Sequence, residues 1–358
     1  RIVFASTSTS AAAVFKLMSR RASLPLGGRG LVPPPPAPGG AAPPPPPPPG
    51  PAATETRQAR PQLLRVEVLS DRRIRLHIRS VAMRREIAVD TLVGTGPAPR
   101  PTLYLLDGVD GGPTSGWLTD GGAAEFFADK PVDVVLTTGG TASLYADWIR
   151  VDAALGLNRW ETFLTEELPP IVEKYLGSNG VRAIAGVSMG AQAAMMLTQR
   201  HPGFYRGVAG MSGCYSTADE LGRAVTVMTV ASRGGNPENL FGPPTSPEWR
   251  AHDSLLGAER LRGTGIYLSV ANGTPSGAAL MSIGDSPEIL AVLMGGGSLL
   301  EQGARLCTER LATRLAELDI PAVVDFLPEG MHSWPDFEVQ LHRSWPTLAR
   351  AMELTGHP

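Results

Sequence analysis

The chain is short of several residue types, and each shortage removes a class of protein. Two cysteines in 358 residues cannot build a disulfide framework or a zinc ribbon. No H-x-x-x-H pattern or Cys/His cluster is present, so no metal site is expected. Lysine occurs only at Lys16, Lys130 and Lys174. Arginine carries the remaining positive charge, which reads as GC-rich coding composition. Excess charge of one sign is also missing. The 32 basic and 34 acidic side chains nearly cancel, leaving no general field for nucleic acid. No run of eighteen apolar residues occurs, so no membrane-spanning helix is expected.

Glycine and proline are abundant, at 41 and 34 residues, but unevenly placed. Residues Pro33 to Pro51 contain only Pro, Gly and Ala and hold 13 of the 34 prolines. This run has little to bury and few backbone donors, so it reads as a stiff polyproline-II spacer. Residues 1–61 are therefore expected to be a disordered N-terminal segment, and residues 62–358 an α/β catalytic domain. No export signal is readable in the N-terminal segment. Ala11–Leu17 is too short for a signal core and carries Lys16, and the stretch after Met18 soon meets Pro25, Gly27 and Gly28.

Beyond the spacer the pattern becomes that of a sheet. Leu63–Leu69 and Ile74–Ser80 alternate apolar and polar residues around Ser70-Asp71, predicting a hairpin with a solvated face bearing Arg73, Arg75 and Arg79. Arg84–Val93 reads as a third strand. Six short, largely apolar runs follow: Thr102–Leu106, Val132–Leu136, Val181–Ala185, Gly207–Met211, Ile266–Val270 and Ala322–Leu327. Helical segments at Ala123–Ala128, Arg159–Leu176, Met189–Arg200 and roughly Ser286–Leu318 separate most of them. Such alternation predicts a mainly parallel central sheet with an antiparallel N-terminal edge and helices on both faces.

One G-x-S-x-G occurs, Gly186-Val187-Ser188-Met189-Gly190. An apolar strand enters it and a small-residue helix leaves it, which is the setting of a nucleophile elbow. Ser188 is the candidate nucleophile. Of six histidines, His332 follows the last strand and fits the chain order serine, acid, histidine. His77 reads as a surface residue on a strand, His201 as a helix C-terminal dipole partner, and His252 as a loop residue. Asp285, Glu288, Glu301 and Glu309 all qualify as the acid on position alone. An oxyanion hole needs backbone amides, one from Met189 and one from the glycine-rich loop Asp107–Gly112. That loop lacks the lysine of a phosphate cradle, while Asp107 and Asp110 could bind hydroxyls. The pairing of Cys214 with Cys307 is left open, Cys214 reading as a small buried residue.

The segments Leu105–Gly108, Gly116-Trp117, Tyr145–Trp148, Trp160–Leu168, Gly186–Met189, Asn272–Pro275 and His332–Trp334 occur in order. Together they resemble the antigen 85 mycolyltransferases, a family of secreted α/β-hydrolase-fold acyltransferases. The resemblance implies an acyl-enzyme on Ser188, with Glu301 as the acid in its Leu299-Leu300-Glu301 setting and His332 as the base. It implies oxyanion amides at Val109 and Met189, and sugar contacts from Asp107, Ser333 and Trp334. A trehalose mycolate or other glycolipid donor, a sugar acceptor, no cofactor and a secreted or cell-envelope location follow from it, as does binding to host matrix protein. The family's arginine after the LLDG segment is unmatched, with Asp110 near its place. A carboxylesterase using water as acceptor, and a non-catalytic adhesin on the same scaffold, are the competing expectations.

Overall fold

A computed structural model describes residues 60–283 and 293–354. The proline-rich spacer, Asp285 and Glu288 lie outside the described residues. Nine strands form one sheet in the order β1-β2-β3-β5-β4-β6-β7-β8-β9. They are β1 (Gln62–Val68), β2 (Arg73–Ser80), β3 (Arg85–Leu92), β4 (Thr102–Leu106), β5 (Asp133–Thr137), β6 (Arg182–Val187), β7 (Gly207–Met211), β8 (Gly265–Val270) and β9 (Ala322–Phe326). β1, β2, β3 and β5 pair antiparallel, and every pairing from β5 through β4 to β9 is parallel. The expected parallel sheet with an antiparallel N-terminal edge is thus present, as are all nine expected strands.

Five longer helices position the site: α1 (Leu168–Leu176), α2 (Met189–Arg200), α3 (Glu220–Ala231), α4 (Ser298–Glu317) and α5 (Trp334–Ala351). Successive strand residues point to opposite faces, and the core divides accordingly. Tyr104, Leu106, Ile184, Val208 and Leu268 pack on one face with Ala191, Met195 and Met196 of α2. Leu103, Leu105, Ala185, Val187 and Ala209 pack on the other with Phe337, Leu341, Trp345 and Leu348 of α5. Central strands covered on both sides account for the apolar runs. β4 has β5 on one side and β6 on the other, so the strand order reverses there. Ligand crevices in open α/β sheets form at the carboxyl ends of strands at such a switch.

The hairpin departs from the expected solvated face. Arg73 and Arg75 are half-buried, and both bind the fully buried Asp90 of β3, at 2.8 and 2.7 Å. Only Arg79 of the three is exposed. His77 is likewise buried rather than superficial, with Nδ1 2.6 Å from Glu86 Oε1. Its alternation with arginines gave the correct face, but strands on both sides cover that face with their own long charged side chains. The helices between β7 and β8, including α3, also lay outside the expected elements.

Candidate active site

The nucleophile candidate sits where β6 ends and α2 begins. Ser188 has φ 55° and ψ −118°, the positive-φ turn that a nucleophile elbow requires. Non-glycine residues rarely hold such values without surrounding restraint. Gly190 supplies part of it. A Cβ there would lie 2.7 Å from the Leu106 carbonyl oxygen and closer still to that of Asp107. The helix can therefore start against the β4 backbone only with hydrogen at this position.

Three side chains from distant segments meet at this turn. Ser188 Oγ lies 2.8 Å from His332 Nε2, and His332 Nδ1 lies 2.8 Å from Glu301 Oε2. This pairing fixes the neutral tautomer: Nδ1–H donates to the carboxylate, and Nε2 accepts the serine hydroxyl proton. Glu301 is completely buried in the first turn of α4. Its Oε1 accepts from Ser212 Oγ and from the Ala271 amide, both at 2.7 Å. These donors fix the carboxylate in the orientation that holds the imidazole. Of the other acid candidates among the described residues, Glu309 instead pairs with Arg305 on its own helix at 3.1 Å. A hydroxyl, imidazole and carboxylate in series can activate serine for attack on an ester.

The glycine-rich loop lies beside the nucleophile: a Cβ on Gly108 would stand 3.5 Å from Ser188 Cβ. A second loop holds it. Ala142 N–H donates to Val109 O at 3.0 Å, Gly139 N–H to Gly112 O at 2.7 Å, and Thr141 Oγ1 to Gly111 O at 2.7 Å. Met189 begins a helix, so its amide has no partner within that helix. Met189 directly follows Ser188 and Val109 directly follows Gly108, and these two amides are the candidates expected from the sequence for an oxyanion hole.

The sugar-contact candidates differ in exposure. Asp107 is buried. Its Oδ1 accepts from Ser115 Oγ at 2.8 Å, and its Oδ2 has no partner. Burial raises its carboxyl to about 7 despite that hydrogen bond. Ser333 Oγ is occupied by Asp336 at 2.7 Å, and Asp336 also receives the Met331 amide, which fixes the loop carrying His332. Trp334 is half-buried and meets Trp117 edge-on at 5.3 Å between centroids. A Cβ on Gly116 would overlap its ring. Asp110 is exposed and binds Arg233, just beyond α3, through Oδ1.

The remaining histidines are elsewhere. His201 ends α2 and lies 2.8 Å from Glu161, while His252 is buried against Phe241, its Nε2 3.7 Å from the same glutamate. Several motifs prove to be braces. Asp147 accepts from Thr162 N and Oγ1, at 3.1 and 2.6 Å, joining the YADW and WETF segments. Gly273 N–H donates to Gly330 O at 2.9 Å, tying the NGTP turn to the loop before His332. Sequence reasoning missed the residues behind Glu301. Ser212 contacts Gln340, whose Nε2 donates to its Oγ at 2.9 Å, and Ser269 Oγ donates to Gln340 Oε1 at 2.8 Å. It also left open the bond between Cys214 and Cys307, which form a disulfide. Neither set has a local sequence signal, because their partners lie far apart in the chain.

Comparison with known proteins agrees with this architecture. Residues 80–348 match the family described as putative esterase. The chain is 30% identical over 294 residues to the diacylglycerol acyltransferase/mycolyltransferase Ag85A of Mycobacterium tuberculosis, covering 78% of this chain and 81% of that protein. It is 31% identical over 291 residues to Ag85B of Mycobacterium intracellulare, covering 77% and 82%. Among solved structures, Mycobacterium tuberculosis MPT51 (FbpC1) superposes with a TM-score of 0.63 at 24% identity, over 76% of this chain and 96% of that one. An S-formylglutathione hydrolase from Agrobacterium tumefaciens gives 0.59 at 13% identity, over 81% and 99%, a likeness of fold. The chain belongs to the antigen 85 family of serine-dependent α/β-hydrolase-fold acyltransferases.

Proposed function

We propose that the protein moves a long-chain acyl group, of the mycoloyl type, from a trehalose ester to a sugar hydroxyl through an acyl-enzyme on Ser188. The hydrogen-bonded series Ser188–His332–Glu301 is the observation that carries this reading. In the first half-reaction Ser188 Oγ attacks the ester carbonyl while His332 Nε2 takes its proton. The Met189 and Val109 amides bear the negative charge that develops on the carbonyl oxygen. Glu301 stabilises the imidazolium, which then protonates the departing sugar alkoxide as its C–O bond breaks. In the second half-reaction a sugar hydroxyl gives its proton to His332 and attacks the acyl-serine, releasing Ser188. Trp334 borders the sugar site, and Asp107 offers an unmet acceptor for a hydroxyl.

The buried Cys214–Cys307 disulfide supports placement in an oxidising compartment, in keeping with a secreted or cell-envelope enzyme. Among the described residues no helix is long and apolar enough to cross a membrane.

Transfer and hydrolysis share the first half-reaction, so the acceptor must be tested. Incubation with a short-chain acyl ester and excess trehalose should yield acyl-trehalose, detected by mass spectrometry. Free acid as the only product would assign the protein to ester hydrolysis and overturn the transfer reading.

A further inference from the structure

Glu301 stands on a helix end with little apolar packing outside it. Leu299 and Leu300, beside it in the first turn of α4, are exposed, as is Leu306 two turns on. The turn entering α4 is Gly295-Gly296-Gly297, and a Cβ on Gly295 or Gly296 would meet no atom within 4 Å. The outer face and Gly295-Gly296 therefore add little to hold the acid, although Gly297 O accepts from the His332 amide at 3.2 Å and Ser298 Oγ donates to Gly273 O. The inner face is different. Glu301, Ala304, Cys307, Thr308, Leu311 and Leu315 are all buried, at the three- and four-residue spacing of one helix face.

Two links join that inner face to the segment after β7. Ser212 Oγ donates to Glu301 Oε1 at 2.7 Å, and two residues later Cys214 is bonded to Cys307. Glu301 and Cys307 are separated by about 9 Å along the helix axis. One short segment, 212–214, thus grips α4 at the acid and again less than two turns beyond it. Ser212 is itself held at φ 52°, with its amide donating to Ser269 O at 2.8 Å. Both cysteines are nearly inaccessible, so the bond belongs to the packed interior.

We propose that the Cys214–Cys307 disulfide and the Ser212 hydroxyl are a positioning device for Glu301, so that turnover at Ser188 reaches its full rate only in the oxidised protein. The inference rests on the reading of Ser188, His332 and Glu301 given above. Reduction by a phosphine or a dithiol adds two electrons and two protons, breaks the S–S bond and leaves two thiols. Two thiols cannot stay at bonding distance. α4 and the 212–214 segment then separate, and the carboxylate loses its register with His332 Nδ1. The imidazole then loses the partner that orients it for the proton transfers at Ser188.

The test compares full-length oxidised protein with protein reduced by tris(2-carboxyethyl)phosphine, using hydrolysis of a short-chain acyl ester. Thiol alkylation counts the freed cysteines, and circular dichroism monitors the fold. Reduction should lower kcat about 10-fold or more with KM little changed, and displace the acid limb of kcat/KM. Reoxidation should restore both. Cys214→Ala/Cys307→Ala should show the low rate whether or not reductant is present. Ser212→Ala, with the disulfide intact, should lower kcat and shift the same limb. A merely stabilising bond would change the melting temperature and leave the pH limb in place, which would overturn the proposal. Equal kcat and pH profiles in oxidised and fully reduced protein would overturn it too, while turnover in the oxidised form keeps the Ser188 reading intact. Absence of turnover in the oxidised protein would overturn that reading and this one with it.

Discussion

Asp107 is the site carboxyl that burial shifts most clearly. Its carboxyl is buried, Oδ1 accepts from Ser115, the Gly116 and Trp117 amides also favour its charged form, and Oδ2 has no hydrogen-bond partner. Desolvation raises its pKa from 3.8 to about 7. The folded group therefore keeps its proton while the unfolded one ionises, and stability falls as pH rises from about 4 to about 7. Above that window the penalty is constant, on the order of 4 kcal/mol for a shift of this size. Asp107→Asn removes the ionisation while keeping an acceptor for Ser115. Urea unfolding at pH 5 and pH 8 should show wild type losing stability between the two, and the variant losing at least about 1 kcal/mol less. Equal losses would contradict the account. At this scale the sequence marked Ser188, His332 and Asp107 through their neighbours along the chain. Ser212 and Gln340 were invisible, because a serine after a strand and a glutamine in a helix acquire meaning only through the carboxylate they surround.

The elbow shows how far local patterning reaches. A strand, a positive-φ serine and a helix are joined by two glycines: a Cβ on Gly186 would meet the Gly190 backbone, and one on Gly190 the backbone of Leu106 and Asp107. Backbone carbonyls cannot swing aside as a side-chain tip can. Gly190→Ala should therefore cost about 1–3 kcal/mol and depress kcat, measured by denaturant midpoint and short-ester turnover. Wild-type values for both would show that the close approach is not required. Strands were readable because each is apolar on both faces or alternates cleanly. α4 was placed by its helical pattern, with helical turns from Leu293 to Glu317 among the described residues, and the expected start near Ser286 lies outside them. The helices between β7 and β8 were missed because Glu220–Ala231 buries only Gly222, Thr226 and Val230, a weak apolar stripe.

Across the whole molecule, the sheet reversal around β4 gathers residues that the chain keeps far apart. The loop at 107–112, the turn at 188, the acid at 301 and the histidine at 332 each follow a parallel strand on the same side of the sheet. The disulfide spans 93 residues and joins the helix carrying the acid to the segment after β7, so no local spacing could have announced it. Glycine abundance, read from composition alone, marks the places where backbones converge at that edge. Central to the proposed reaction is the passage of an acyl group through Ser188. Its most direct test is rapid acid quench of the protein turning over a long-chain trehalose ester, followed by proteolysis and mass analysis of the peptide bearing Ser188. The account predicts an acyl adduct on Ser188 that forms before product and disappears as acyl-trehalose when unacylated trehalose is added. An unmodified Ser188 peptide throughout turnover, or an adduct on another residue, would contradict it.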